Sequence, residues 1–86
     1  MMFRVSRHAE RELSRRQIPR DLLESVLENP HQRIPQPGGK EIRQSRVELA
    51  DGKIYLLRVV VLVEKDPPVV VTVYRTSKIG KYWRSE

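Results

Sequence analysis

Ile54-Tyr55-Leu56-Leu57-Arg58-Val59-Val60-Val61-Leu62-Val63 is the stretch that decides the fold. Large apolar and β-branched residues fill both alternating sets of positions, so a strand here presents apolar side chains to both faces. That is the signature of a central strand covered on two sides rather than a half-solvated edge. Arg58 alone interrupts it. The longest unbroken apolar run, Val59 to Val63, is far too short to span a bilayer.

Working outward, Asp51-Gly52 precedes the stretch and Asp66-Pro67-Pro68 follows it, with Pro37-Gly38-Gly39 further upstream. These turn signals separate runs near 40–49, 53–64 and 69–75 that are rich in Val, Ile and Tyr. The gaps are too short for crossover helices, so the runs are expected to join as hairpins into an antiparallel meander. Residues 31–36 offer a further short strand, which Pro35 would hold at an edge. Met2 to Val5 form another segment able to pair with the sheet.

Before Pro30 the period is helical. Ser6 to Gln17 reads as a helix with Ser6 at its N-cap, Ala9 and Leu13 on one face, and Arg7, Arg11, Glu12, Arg15 and Arg16 on the others. Pro19 suits the first turn of a second helix, where its missing N–H costs nothing, and Asp21 favours the positive end of the dipole. Leu22, Leu23, Val26 and Leu27 supply its buried stripe, and Asn29-Pro30 ends it. The expected class is α+β in one domain, residues 1–86, with a thin core, because so short a chain hides only about 60 to 65 % of its unfolded surface.

Charge narrows the partners. Seventeen Lys and Arg against eleven Asp and Glu leave a formal +6, which favours polyanions such as nucleic acid or an acidic protein. The absence of cysteine removes disulfides and thiolate metal sites, and two histidines make a poor structural zinc site. No cofactor or metal is expected. Met1 to Arg7 lack the apolar stretch of a signal peptide, so a soluble, cytoplasmic protein is expected, with no membrane partner.

The stretch from Thr72 to Trp83 carries the densest chemistry: a strand emerges into Arg75, Thr76, Ser77, Lys78, Lys81 and Tyr82, donors of the kind phosphate attracts. The plain alternative is that Thr76 and Ser77 cap a last helical turn while Arg75 and Lys78 are solvated. Arg4, Arg7, Arg11, Arg15, Arg16 and Arg20 make the N-terminal quarter arginine-rich, with Arg11 and Arg15 one turn apart on a common face, a stripe able to track a phosphate backbone unless Glu10, Glu12 and Asp21 neutralise it. His8 is a candidate general base or an idle surface histidine; His31, beside a proline, offers less. Arg58 needs a partner or a polar cleft, and a cross-strand bridge to Glu48 or Glu64 is the favoured answer. Tyr82 and Trp83 either stack on bases or pack on the core. Pro37-Gly38-Gly39-Lys40 lacks the Gly-Lys-Ser/Thr of a phosphate loop.

Ser6-Arg7-His8-Ala9 with Arg11, the helix closing at Glu28-Asn29-Pro30, and the final Val71-Thr72-Val73-Tyr74-Arg75-Thr76-Ser77-Lys78 together resemble an uncharacterised domain family related to the RelE/ParE toxins. The resemblance implies two N-terminal helices packed on a twisted, mainly antiparallel sheet of about four strands with a basic concave surface. It further implies a toxin of a toxin-antitoxin pair: a metal-independent endoribonuclease acting on RNA and neutralised by a small acidic antitoxin-like protein, or, as in ParE-like members, a non-catalytic inhibitor or binding module. For such a nuclease, residue type and placement rather than a matched catalytic motif assign charge stabilisation to Arg75 assisted by Arg58 or Lys78, proton transfer to His8 with Tyr82 as an alternative acid, and RNA binding to Arg7, Arg11, Arg15 and Lys81. RelE-like sets draw on sheet lysines, of which this sheet has fewer.

Overall fold

Leu57, Val59 and Val61, one alternating row of the apolar stretch, are completely buried. The computed structural model describes residues 2–85 and sets this row at the centre of the protein. The elements are β1 (Arg4–Val5), α1 (Arg7–Arg15), α2 (Arg20–Glu28), β2 (Gln32–Gln36), β3 (Lys40–Glu48), β4 (Ile54–Leu62), β5 (Val69–Thr76) and α3 (Ile79–Tyr82). In the sheet the strand order is β1-β5-β4-β3-β2, so β4 is central, as its composition demands.

The fold is α+β, and strands β2 to β5 form the expected antiparallel meander. Two expectations need correction. The sheet has five strands, not about four, and is mixed, because β1 pairs in parallel with β5. A third helix, α3, follows the sheet. The parallel pair is made by a strand of two residues, too short for its alternation to stand out before the helical period begins.

One face of the sheet carries both long helices. Ala9 and Leu13 from α1, Ile18 from the connection, and Leu23, Val26 and Leu27 from α2 pack with Val47, Leu49, Leu57, Val59, Val61, Val70 and Val73. On the opposite face Leu56 and Arg58 are buried, while Val60 and Leu62 are only half-buried. The central strand is therefore fully covered on one side and partly on the other.

Local chemistry fixes where the helices sit. Ser6 is the N-cap of α1: its Oγ accepts from the Ala9 N–H at 3.1 Å and donates to the Val71 carbonyl at 2.9 Å. Val71 is the residue skipped where the β4–β5 register shifts, since Val60 faces Thr72 and Val61 faces Val70. One hydroxyl thus starts a helix and satisfies a bulge. α1 ends at Arg15, short of the expected Gln17, because Gln17 turns left-handed (φ 53°) and sends the buried Ile18 back onto the core. Pro19 caps α2 from just outside it.

Arg43 ties α2 to the sheet. Its Nη1 donates to the Leu27 carbonyl at 2.6 Å, one of the last carbonyls of α2, and its Nε meets Glu41 at 2.7 Å. Burial pushes the Glu41 carboxyl up, but hydrogen bonds and charge from Arg33 and Arg43 outweigh it, and the net direction is down. Hydrogen bonds from Arg15 and Arg16 likewise hold Glu12 below its usual range. Among the described residues no helix is long and apolar enough to cross a membrane.

Leu57→Ala is expected to lower the unfolding free energy by about 2–5 kcal/mol, and Ser6→Ala by about 1–2 kcal/mol, both read from urea titration. A Ser6→Ala protein as stable as the wild type would show that the shared hydroxyl is dispensable. Because Glu12 and Glu41 bind protons less readily when folded, their stabilisation is whole above the ordinary value of 4.5 and is lost as pH falls through their lower folded values. The thermal midpoint should therefore decline on acidification below that value, and less steeply in Glu41→Gln.

Candidate functional site

On the face away from the long helices, four polar side chains stand in one row across four adjacent strands. The register sets Gln32 of β2 opposite Gln44 of β3, Gln44 opposite Arg58 of β4, and Arg58 opposite Tyr74 of β5. They are hydrogen-bonded in sequence: Gln44 Nε2 donates to Gln32 Oε1 at 2.7 Å, Arg58 Nε to Gln44 Oε1 at 2.8 Å, and Arg58 Nη1 to the Tyr74 hydroxyl at 2.6 Å. Strands about 4.8 Å apart bring such side chains within reach.

The C-terminal residues lie across this row. Gln44 Nε2 also donates to the Tyr82 carbonyl at 3.1 Å, and Gln32 closes a pair of bonds with the Arg84 backbone at 2.6 and 3.1 Å. So anchored, the Tyr82 ring sits 4.2 Å from the Arg58 guanidinium, and Lys81 lies over the same ring. Next to it, the Arg46 guanidinium stacks 4.1 Å from the Trp83 ring, which meets His31 edge to face. His31 Nδ1 accepts from the Arg46 backbone N–H.

Two adjoining clefts open here. One, of about 370 Å³, is lined by Arg58, Lys81, Tyr82, Trp83 and Arg84; the other, of about 710 Å³, by His31, Gln32, Arg46, Trp83 and Arg84. No carboxylate lines either among the described residues, and Arg46, Arg58, Lys81 and Arg84 form no ion pair with them. Arg58 is 8 % exposed. The expected bridge from Arg58 to Glu48 or Glu64 is not made. Glu48 pairs with Ile54, four residues along the strand from Arg58, and Glu64 lies beyond the end of β4.

Of the residues singled out from sequence, Arg58, Lys81 and Tyr82 come together. Arg75 does not join them: it stacks 4.8 Å from Tyr55, whose ring packs with the helix-side core and whose hydroxyl donates to Asp51. Alternation along β5 sends Tyr74 and Arg75 to opposite faces. The hydrogen bond from Tyr55 is the main reason the Asp51 carboxyl lies low, with Arg75 adding to it. His8 sits at the β5 edge, its Nε2 3.0 Å from Thr72 Oγ1, and Thr72 shares the strand face of Tyr74. Lys78 precedes α3 and is exposed.

Arg7, Arg11 and Arg15 belong to α1 on the helix side, and the stripe is partly neutralised. Glu12 holds Arg15 and Arg16, while Glu10 pairs with Arg20. Arg7 and Arg11 are exposed and make no ion pair among the described residues. They do not share a cleft with Arg58.

Sequence reasoning missed Gln32, Gln44, Tyr74, Arg46 and Arg84 as parts of this site and undervalued His31. A signal for two of them existed. Seven residues before Asp51 stands Gln44 and eight after Asp66 stands Tyr74, so hairpins centred on those two turn residues place both beside Arg58. Nothing in periodicity announces that residues 82–84 return to this face.

A match to a family model covers residues 5–75, from β1 to Arg75 near the end of β5, and leaves Tyr82, Trp83 and Arg84 beyond it. No curated protein and no solved structure matches the chain significantly. The row Gln44–Arg58–Tyr74 lies wholly within the matched residues of a chain that belongs to the family described as a domain of unknown function, DUF4258.

Proposed function

We propose that the protein binds single-stranded RNA across the open face of its sheet. The observation that carries this reading is Arg58, a residue nine-tenths buried whose hydrogen-bond partners among the described residues are neutral and whose guanidinium lines a cleft beside Lys81 and Arg84. A buried cation without a counter-charge is costly, and an oxyanion in the cleft offsets that cost. Tyr82, Trp83 and His31 supply aromatic surface for bases, and Arg46 and Arg84 supply charge along the strand.

A second reading, the metal-independent endoribonuclease of a RelE/ParE-like toxin, is favoured by the two phenols that contact Arg58. In that reaction the ribose 2′-OH loses its proton to a base and attacks the adjacent phosphorus. The P–O5′ bond breaks, leaving a cyclic phosphate and a 5′-OH that takes a proton from an acid. Arg58 stabilises the charge of the phosphorane, Tyr82 is the acid, and His8, reaching the β5 edge at Thr72, is the base. A small acidic antitoxin-like protein is the partner this reading calls for, covering the same basic face.

Fluorescence anisotropy with a short oligouridylate should give binding that weakens steeply with added salt. Arg58→Met should reduce affinity about tenfold to a hundredfold, whereas Arg75→Ala, altering the other face, should leave it unchanged; salt-independent binding, or equal loss in both variants, overturns the interface. Cleavage is scored separately, as cyclic-phosphate ends formed in excess chelator by the wild type and lost in Tyr82→Phe. Intact RNA after prolonged incubation leaves the binding module and removes the nuclease.

A further inference from the structure

Arg58 has five N–H donors in a planar fork. Nε is taken by Gln44 and Nη1 reaches Tyr74, while Nη2 makes no hydrogen bond to any described residue. No fully buried polar side-chain atom lacks a partner among the described residues, so Nη2 keeps contact with solvent, and Arg58 lines the cleft beside Lys81 and Arg84. Two of its nitrogens are held, one by the neighbour on each side, and the third, Nη2, is presented between them.

The holding group is what matters. Gln44 is completely buried, and its amide oxygen occupies the place where a carboxylate would most readily stand opposite an arginine in the next strand. Glutamate has nearly the same shape and would bind the guanidinium more strongly. It would also cancel its charge. The amide has a second property that a carboxylate lacks: its Nε2 donates to Gln32 and to the Tyr82 carbonyl, so one side chain aligns Arg58 and the aromatic segment above it.

We infer that Gln44 is a positioning residue that holds Arg58 as an unneutralised cation, its free Nη2 set to receive one phosphate oxygen of a nucleic-acid backbone. The inference rests on the RNA-binding reading for its ligand, though not for its statement about charge. A neutral acceptor fixes the direction of the guanidinium without consuming its field, and the low dielectric around it strengthens that field at the cleft.

The test compares Gln44→Glu and Gln44→Met in the full chain, with a fluorescent oligouridylate as probe and thermal melts alongside. Gln44→Glu should lose about tenfold or more in affinity and reduce the salt slope by about one counterion, while sharing with Gln44→Met the destabilisation that comes from losing the Nε2 donations to Gln32 and the Tyr82 carbonyl. The pairing of the new carboxylate with Arg58 is read as the melting temperature of Gln44→Glu relative to Gln44→Met, which should rise from strong acid, where the carboxylate is protonated, to pH 7. Gln44→Met should lose less affinity and keep the wild-type slope, since it removes the alignment and adds no charge.

Equal losses and equal slopes in the two variants would make Gln44 a packing residue and overturn the inference. So would a Gln44→Glu protein that binds as the wild type does, or one whose melting temperature relative to Gln44→Met does not rise from strong acid to pH 7. If the wild type fails to bind RNA but Gln44→Glu still gains on Gln44→Met in the pH-dependent way described, the RNA reading fails and the uncompensated charge at Arg58 stands.

Discussion

A guanidinium buried in the middle of a sheet loses most of its hydration, and several kcal/mol of that loss must be met by whatever faces it. In this protein the facing groups are fixed by strand register alone. Gln44 on one side and Tyr74 on the other stand directly opposite Arg58, and both are neutral. The main features of the open face follow from that row: the alignment of Arg58, the seat for the Tyr82 backbone, and clefts in which no described residue places a carboxylate. Shifting either hairpin by one residue would turn the row to the helix side and dissolve it.

The two faces divide the work. Toward the helices, cations are held in structural pairs: Glu41 binds Arg33 and Arg43, and Glu12 binds Arg15 and Arg16. Toward the open side, Arg46 and Arg58 lie against aromatic rings instead, Trp83 and Tyr82. Cation–π contact positions an arginine while leaving its charge in place. The formal +6 of the chain is therefore uneven in effect, since arginines beside carboxylates contribute little field at a distance and those beside rings contribute fully.

Much of the fold was legible in the sequence because its strongest signals are local. Ile54 to Val63 announces a central strand, the turn pairs delimit a meander, and Ser6 and Asn29-Pro30 bound the helices. The site was less legible, for a geometric reason. Neighbours in sequence such as Tyr74 and Arg75 point to opposite faces, so clustering along the chain overstated Arg75, while Gln44, thirty residues before Tyr74, contributes to the same row. Glutamine also draws no attention in a search for charged or nucleophilic groups. The placement of residues 82–84 depends on backbone carbonyls meeting glutamine amides, which composition does not reveal.

The borders of the sheet have a consequence for how the chain behaves in a crowded solution. An open sheet with a long, flat border invites a neighbour to add a strand and begin a fibril. Here one border is β1, which covers only Val69 and Val70 and leaves the rest of β5, to Thr76, as an unpaired edge beside α1; the other is β2, where Pro35 lacks an amide proton and the exposed Arg33 adds charge. The β2 border is thus blunted by proline and charge, and among the described residues the length of β5 beyond Val70 is the one side on which the sheet can accept a further strand, while the valine-rich central strand stays in the interior.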